Sequence, residues 1–241
     1  MMRQHTRVFG WTLALVVIAL FCTLGHWQWQ RMHEKQALLL QADTARARTA
    51  TLAQALQAPP ALRWVHGRGR FLPGVVLLDN QLREGRAGVK VYQAFVADGA
   101  PRPVLVDLGW IALPADRTLP AAAALEGEHV LQGLLAPAPS AGLALGPAMA
   151  QAGPHTWLAT RIDPQAIAQR LELPAPGLPA QVLRLDPALP LGHVRDLELL
   201  PNTLPPARHL GYAVQWFAMA LAVLVLALVL EWRSRRPRGG R

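Results

Sequence analysis

The residues best placed to do chemistry stand in "RHLGYAVQWF", residues 208–217, where Arg208 and His209 directly precede twenty-one residues without formal charge, Leu210 to Leu230. On a helix, His209, Tyr212 and Trp216 at i, i+3 and i+7 are expected to share a face. An imidazole, a phenol and an indole at the start of an apolar run have two readings. They form an interfacial aromatic belt that anchors the helix, or the imidazole serves as a ligand and something is bound there.

Elsewhere the chain offers little chemistry. It contains no GxSxG, HExxH, P-loop or CxxC pattern. His66, His129, His155 and His193 are scattered singly, without paired metal-ligand spacing. Asp79, Asp98 and Asp107 fall at expected strand ends or turns, where carboxylates cap backbone amides. Arg68 and Arg70 alternate on one strand and share a face, read as solvated before it is read as a dock for an acidic partner. These residues point away from an enzyme. Cys22 is the only cysteine, so no intrachain disulfide forms.

The elements that must position His209 are two apolar segments. Val8–Gly25 is uncharged and spans roughly 27 Å as a helix, about one bilayer core. The second runs from Tyr212 to Leu230. Trp11, Trp27, Trp29, Trp216 and Trp232 lie near the segment ends. No small–x–small cleavage pattern follows the first segment, which reads as an uncleaved anchor. The net charge of +9 is concentrated in the tails, with Arg3 and Arg7 at one end and Arg233, Arg235, Arg236, Arg238 and Arg241 at the other. Residues 26–208 carry 17 Lys and Arg against 14 Asp and Glu. That distribution argues for membrane orientation and against nucleic-acid binding. Basic tails are expected to stay in the cytoplasm. The expected order is a cytoplasmic tail at 1–7, a transmembrane helix at 8–25, an external domain with a juxtamembrane helix at 26–208, a second transmembrane helix at 209–231 and a basic cytoplasmic tail at 232–241.

In the external domain, the Gly- and Pro-free stretch from Arg31 reads as helix, with Asp43–Thr44 as a point of interruption and "APPALRW" as its end. RWVHGRGRF, VVLLDN, AGVKVYQAFVA, VLVDLGWIAL, EHVLQGLLAP, TWLATRID and QVLRLDP read as strands. Asp98–Gly99 marks a hairpin between the third and fourth. PQAIAQRLEL reads as a short helix with Asp163 as N-cap and Pro164 at its first position. Residues 134–154, 172–180 and 187–206 are expected as loops. The fold class is membrane α+β: a two-helix transmembrane hairpin carrying an external antiparallel β-rich domain, either an open sheet or a small barrel.

The order of motifs resembles that of the Surfeit locus protein 1 family, assembly factors of cytochrome c oxidase in mitochondrial and bacterial membranes. The resemblance rests on the GxWQxxR pattern of Gly25, Trp27, Gln28 and Arg31, on LLDNQLREGRAGVKVYQAF and VLVDLGWI, and on His209, Tyr212 and Trp216 opening the second span. One departure stands at Asp107–Leu108, where family members usually carry asparagine–arginine before the Gly109–Trp110 pair. The resemblance implies a non-enzymatic chaperone of respiratory-chain biogenesis in the bacterial inner membrane. Its partners would be cytochrome c oxidase subunit I and the heme a synthesis machinery, and its cofactor a transiently held heme a. It maps the iron ligand onto His209. Tyr212 and Trp216 would then lie beside the macrocycle, and Arg208 and Arg31 would serve the propionates. The rival readings are a non-heme scaffold that holds oxidase subunits and, more remotely, an envelope sensor.

Overall fold

The computed structural model describes residues 2–140, 146–197 and 204–235. Its chain divides into two compact units, Met1–Leu38 with Thr203–Arg241, and Leu39–Asn202.

The first unit is built from two helices, α1 (Met2–Ala45, whose last turns belong to the second unit) and α4 (Pro206–Arg235). Both are long and apolar enough to cross a membrane. At 1.5 Å per residue the 44 residues of α1 extend roughly 66 Å, about twice a bilayer core. Leu, Ala, Gln and Arg from Trp27 onward explain why the helix does not stop where the apolar run does. The inward positions of α1 include Phe21, Gly25, Gln28, Met32 and Lys35, and those of α4 His209, Ala213, Trp216, Ala220 and Val223. Each series advances by alternating steps of three and four, the seam of a coiled-coil-like pair. At the far end of the pair, the Glu231 carboxylate accepts hydrogen bonds from Arg7, from Arg235 Nε at 2.7 Å and from Trp11 Nε1 at 3.5 Å. Between that cluster and Val223 the helices leave an apolar groove of about 550 Å³, floored by small residues such as Gly10, Ala14 and Ala227.

The second unit is a β-barrel with an appended hairpin. Its strands are β1 (Thr49–Thr51), β2 (Arg63–Arg83), β3 (Arg86–Ala97), β4 (Val104–Ala112), β5 (Glu128–Pro137), β6 (Met149–Gly153), β7 (Thr156–Ala159) and β8 (Gln181–Leu185). Its helices are α2 (Leu52–Gln57) and α3 (Pro164–Arg170). Pairing runs β2–β3–β4–β8–β5 and returns to β2, closing a ring of five strands. β2 makes the closing step, since Gly69 and Arg70 pair with β3 on one edge and with β5 on the other. On one edge of β2, Arg63–Arg70 pairs with β5 and Val75–Leu78 with β7; on the other, Gly69–Phe71 and Val75–Arg83 pair with β3. The change of partner falls at Leu72–Gly74, where the register shifts and Gly74 takes φ +93°. Such a backbone suits glycine and bends the strand.

Alternate residues of the ring strands converge on one core that includes Val65, Leu77, Val91, Val106, Leu135 and Leu183, with the Phe71 and Phe95 rings 5.0 Å apart. Leu52, Ala55 and Leu56 of α2 join that core. The α2 start is fixed by a capping box in which Thr51 and Gln54 bond each other's backbone amides at 3.2 Å. The buried Gln93 side chain ties two loops to the barrel: Nε2 donates to the Leu72 and Leu125 carbonyls, and Oε1 accepts from Leu125 N–H. On the outer face, α3, β6 and β7 cover a second core around Val76, Tyr92, Leu105 and Ile167.

The sheet differs from the antiparallel one expected. It is mixed: β1 and β7 run parallel to β2, and β8 runs parallel to β4. These strands return after long connections, and a parallel pair needs such a crossover. Two expected strands, RWVHGRGRF and VVLLDN, are one continuous β2. Part of the stretch expected as loop, Met149–Gly153, is strand β6, held by pairing with β7. The Asp98–Gly99 hairpin lies between β3 and β4, with Gly99 at φ +71°. Asp163 caps α3 by accepting from the Gln165 and Ala166 amides at 3.1 Å. Arg236, Arg238 and Arg241 of the basic tail, and residues 141–145 and 198–203 of the expected loops, lie outside the described residues.

Candidate functional site

The helix pair puts His209 opposite Gln28. His209 is only 7% exposed, although it lies three residues inside the start of α4. Its Nδ1 is 2.7 Å from Gln28 Oε1. An amide oxygen only accepts, so Nδ1 carries the proton and donates. The other ring nitrogen, Nε2, is buried and has no hydrogen-bond partner. A buried polar atom left unpaired costs about 1–3 kcal/mol, so this is a place where the fold tolerates a deficit.

The neighbouring layers bring the helices close. Gly25 faces Phe217, and a Cβ at Gly25 would stand 2.9 Å from that ring. One turn on, Trp216 meets Phe21 with centroids 5.5 Å apart and planes tilted by 40°. On the other side of the His209 layer, Lys35 Nζ donates to the Leu204 carbonyl. Lys35 and Arg31 are the positive charges that bear on the imidazole.

The residues singled out from sequence therefore separate into two groups. His209, Trp216, Gly25 and Gln28 line the seam of the pair. Tyr212 is 39% exposed and lies to one side of it. The reason is helical geometry: a step of seven returns within about 20° of its start, while a step of three leaves about 60° to one side. Tyr212 and Trp216, four positions apart, are neighbours on the helix, with Trp216 toward the seam and Tyr212 at its margin. Arg208 is exposed, and Arg31 is exposed and paired to Glu34 at 2.9 Å. Trp27 is 50% exposed. Phe21, Phe217 and Lys35 complete the layers around the site, and sequence reasoning did not single them out; a heptad reading of α1 would have placed Phe21 and Lys35 on the Gln28 face. Among the described residues no group of three His, Cys, Asp or Glu side chains converges as a metal site.

In the barrel, the departure at Asp107–Leu108 has a clear structural setting. Leu108 points into the barrel core and is 1% exposed. Asp107 faces outward into a buried polar layer. Its Oδ2 accepts from Lys90 Nζ at 2.8 Å and from Tyr92 OH at 3.4 Å, and its Oδ1 accepts from the Gly109 amide at 3.0 Å. Burial, first, and the Asp107 charge, second, hold the Tyr92 phenol well above its ordinary pKa. Trp110 lies across Gly88 and donates its Nε1–H to the Gln81 carbonyl at 2.8 Å. Those contacts give the glycine–tryptophan stretch a packing role.

Taken together, the chain is an α+β protein in which two apolar, membrane-length helices are joined to a small mixed β-barrel, with one buried histidine at their seam. The family model described as the SURF1 family matches residues 15–221, most of the chain, and the chain belongs to that family of cytochrome c oxidase assembly factors. No curated protein matches the chain.

Proposed function

We propose that this protein takes part in cytochrome c oxidase assembly by holding heme a at His209 while subunit I matures. The observation that carries the reading is the His209 ring, oriented by a hydrogen bond at Nδ1, with a buried lone pair at Nε2 that nothing else uses. That is the donor a heme iron takes as axial ligand. The heme would supply iron coordination and a large apolar surface; the protein supplies the imidazole, the apolar seam around Phe21 and Trp216, and the cations Arg31, Lys35 and Arg208 for propionate oxygens. In this reading the helices cross the bacterial inner membrane, both termini are cytoplasmic and the barrel faces the periplasm. Trp27 and Trp29, 50% and 43% exposed, anchor the first helix at the membrane surface or dock on an oxidase subunit.

The test is the visible spectrum of the full-length protein purified in detergent with heme a present. His209→Ala should lose the bound pigment or change its spin state at unaltered protein level. An unchanged spectrum and stoichiometry would remove His209 as ligand and turn attention to His26 and His33, both exposed on α1, the latter edge-on to Trp29 at 5.2 Å.

A specific observation favours the second reading, a non-heme scaffold that holds oxidase subunits. Nε2 is covered by protein atoms, so a macrocycle reaches it only after the side chains over it part. If they never part, the Gln28–His209 bond is a clasp that fixes helix register, and co-purification with oxidase subunits would survive without pigment.

A further inference from the structure

We infer that Gln28 is the positioning residue of the His209 site: it selects the tautomer that leaves Nε2 as the donor and holds the ring plane from the opposite helix. The inference rests on the reading of His209 as a heme ligand and goes one step further, because it decides which nitrogen binds and what makes it able to.

Gln28 Oε1 stands 2.7 Å from Nδ1, and a carbonyl-type oxygen can face that nitrogen only if the proton is there. A proton on Nε2 instead would be a buried N–H without an acceptor, opposite an oxygen that Nδ1 could then not serve. With Nδ1 facing the Gln28 oxygen and no partner at Nε2, the free lone pair is on Nε2. Metal-binding histidines are commonly held this way, the non-ligating nitrogen donating to a carbonyl or carboxylate that fixes orientation and raises ligand basicity. Here the partner comes from a residue 181 positions away in the chain. The two ends of the protein must therefore pair before the donor exists. A chain with an unpaired second helix would carry a histidine free to take either tautomer.

Three full-length variants test this: Gln28→Leu, which keeps bulk and removes the acceptor; Gln28→Glu, which keeps an acceptor; and His209→Ala. Nitrogen NMR of ¹⁵N-histidine-labelled protein, without heme, reads the tautomer directly. The wild type should show a single Nδ1–H form at His209, Gln28→Leu should lose it, and Gln28→Glu should retain it. With heme a added, Gln28→Leu should bind about ten- to a hundredfold more weakly, and the iron in whatever complex remains should be easier to reduce, since a less basic imidazole stabilises ferric iron less. Gln28→Glu should restore binding. A Gln28→Leu protein with the wild-type tautomer and wild-type affinity would overturn the inference. If the tautomer depends on Gln28 while the wild type binds no heme a through His209, the ligand reading falls, and with it the donor role assigned here. Gln28 would then be shown only as a clasp on the ring.

Discussion

Gly25 and Phe217 meet across the helix pair, so closely that a Cβ on the glycine would come within 2.9 Å of the ring. The Gln28–His209 bond lies one layer away, and helix spacing at Gly25 governs whether it forms. Phe217 is 41% exposed and its ring can turn aside. Gly25→Ala should therefore cost less than about 1 kcal/mol. Gly25→Leu forces the backbones apart and should cost about 1–3 kcal/mol, as overpacking does. Thermal unfolding in detergent reads the stability. Loss of the single His209 tautomer in Gly25→Leu reads the spacing.

The Lys90–Asp107 pair is largely buried, with side chains 13% and 5% exposed. Removing one member strands the other, so Asp107→Ala should destabilise the barrel by about 3–5 kcal/mol. Replacing both by apolar residues, Lys90→Met with Asp107→Leu, should recover part of that loss. Recovery stays partial because the Gly109 amide loses its Oδ1 acceptor. A double-mutant cycle in denaturant unfolding measures the coupling. Additive losses would show that the two charges do not act on each other.

Much of this architecture can be read locally. Uncharged runs of membrane length give the two long helices, Asp98–Gly99 gives the β3–β4 hairpin, and Asp163–Pro164 gives the start of α3. What cannot be read depends on partners far along the chain. β1 is three residues, Thr-Ala-Thr, and exists because β2 pairs with it. β6 is Met-Ala-Gln-Ala-Gly, without a single β-branched residue, and exists because β7 pairs with it. The parallel β4–β8 pairing is invisible for the same reason. At the site, the residue types were legible and the face was not. Tyr212 is within helical reach of His209, but the seam passes through Ala213 instead. Nothing local says that Gln28 is the residue His209 will find.

Tyr92 makes stability depend on alkaline pH. Its phenol is fully buried and held well above the ordinary value, so the folded state keeps a proton that the unfolded chain loses near pH 10. The unfolded state then binds fewer protons, and stability must fall as pH rises. Tyr92's contribution is complete below about pH 10 and declines by about 1.4 kcal/mol per pH unit above it, until the folded phenol itself ionises. Tyr92→Phe should flatten that part of the profile, at the cost of the bond to Asp107. Urea midpoints between pH 8 and about 11 compare the two. Equal slopes would mean that Tyr92 ionises as readily in the fold as outside it.

Arg195 holds the segment after β8 in place by donating to four backbone carbonyls, those of Asp186, Leu189, Leu191 and His193. The same segment reaches β4: His193 N–H bonds the Leu108 carbonyl at 2.7 Å, and Trp110 N–H bonds the Val194 carbonyl at 2.8 Å. A guanidinium can serve carbonyls in several directions at once, and an ammonium on a thin stem cannot reproduce that fan. Arg195→Lys should therefore behave more like Arg195→Ala than like the wild type. A loss of about 2–3 kcal/mol is expected for the charged hydrogen bonds. New proteolytic cleavage within residues 187–196, with the barrel core intact, would locate the effect. Wild-type resistance in Arg195→Lys would show that charge alone is enough.

The proposed orientation makes a prediction that depends on neither heme nor oxidase. Arg7 and Arg235 gather on Glu231 at one end of the helix pair, and the arginine-rich tails continue from that end. Short basic tails resist export, while a long domain is carried across largely regardless of its charge. Alkaline phosphatase, which is active only when exported, should work when inserted at the Glu84–Gly85 turn between β2 and β3, where both residues have positive φ and are exposed. Fused after Arg241 it should be inactive, and a reporter that works only in the cytoplasm should give the opposite pattern at each site. The Glu84–Gly85 insertion leaves both helices whole, so an inactive phosphatase there in a stable fusion would mean the barrel is cytoplasmic. His209 would then lie on the cytoplasmic side of the membrane, and the partners proposed for it would have to be sought there.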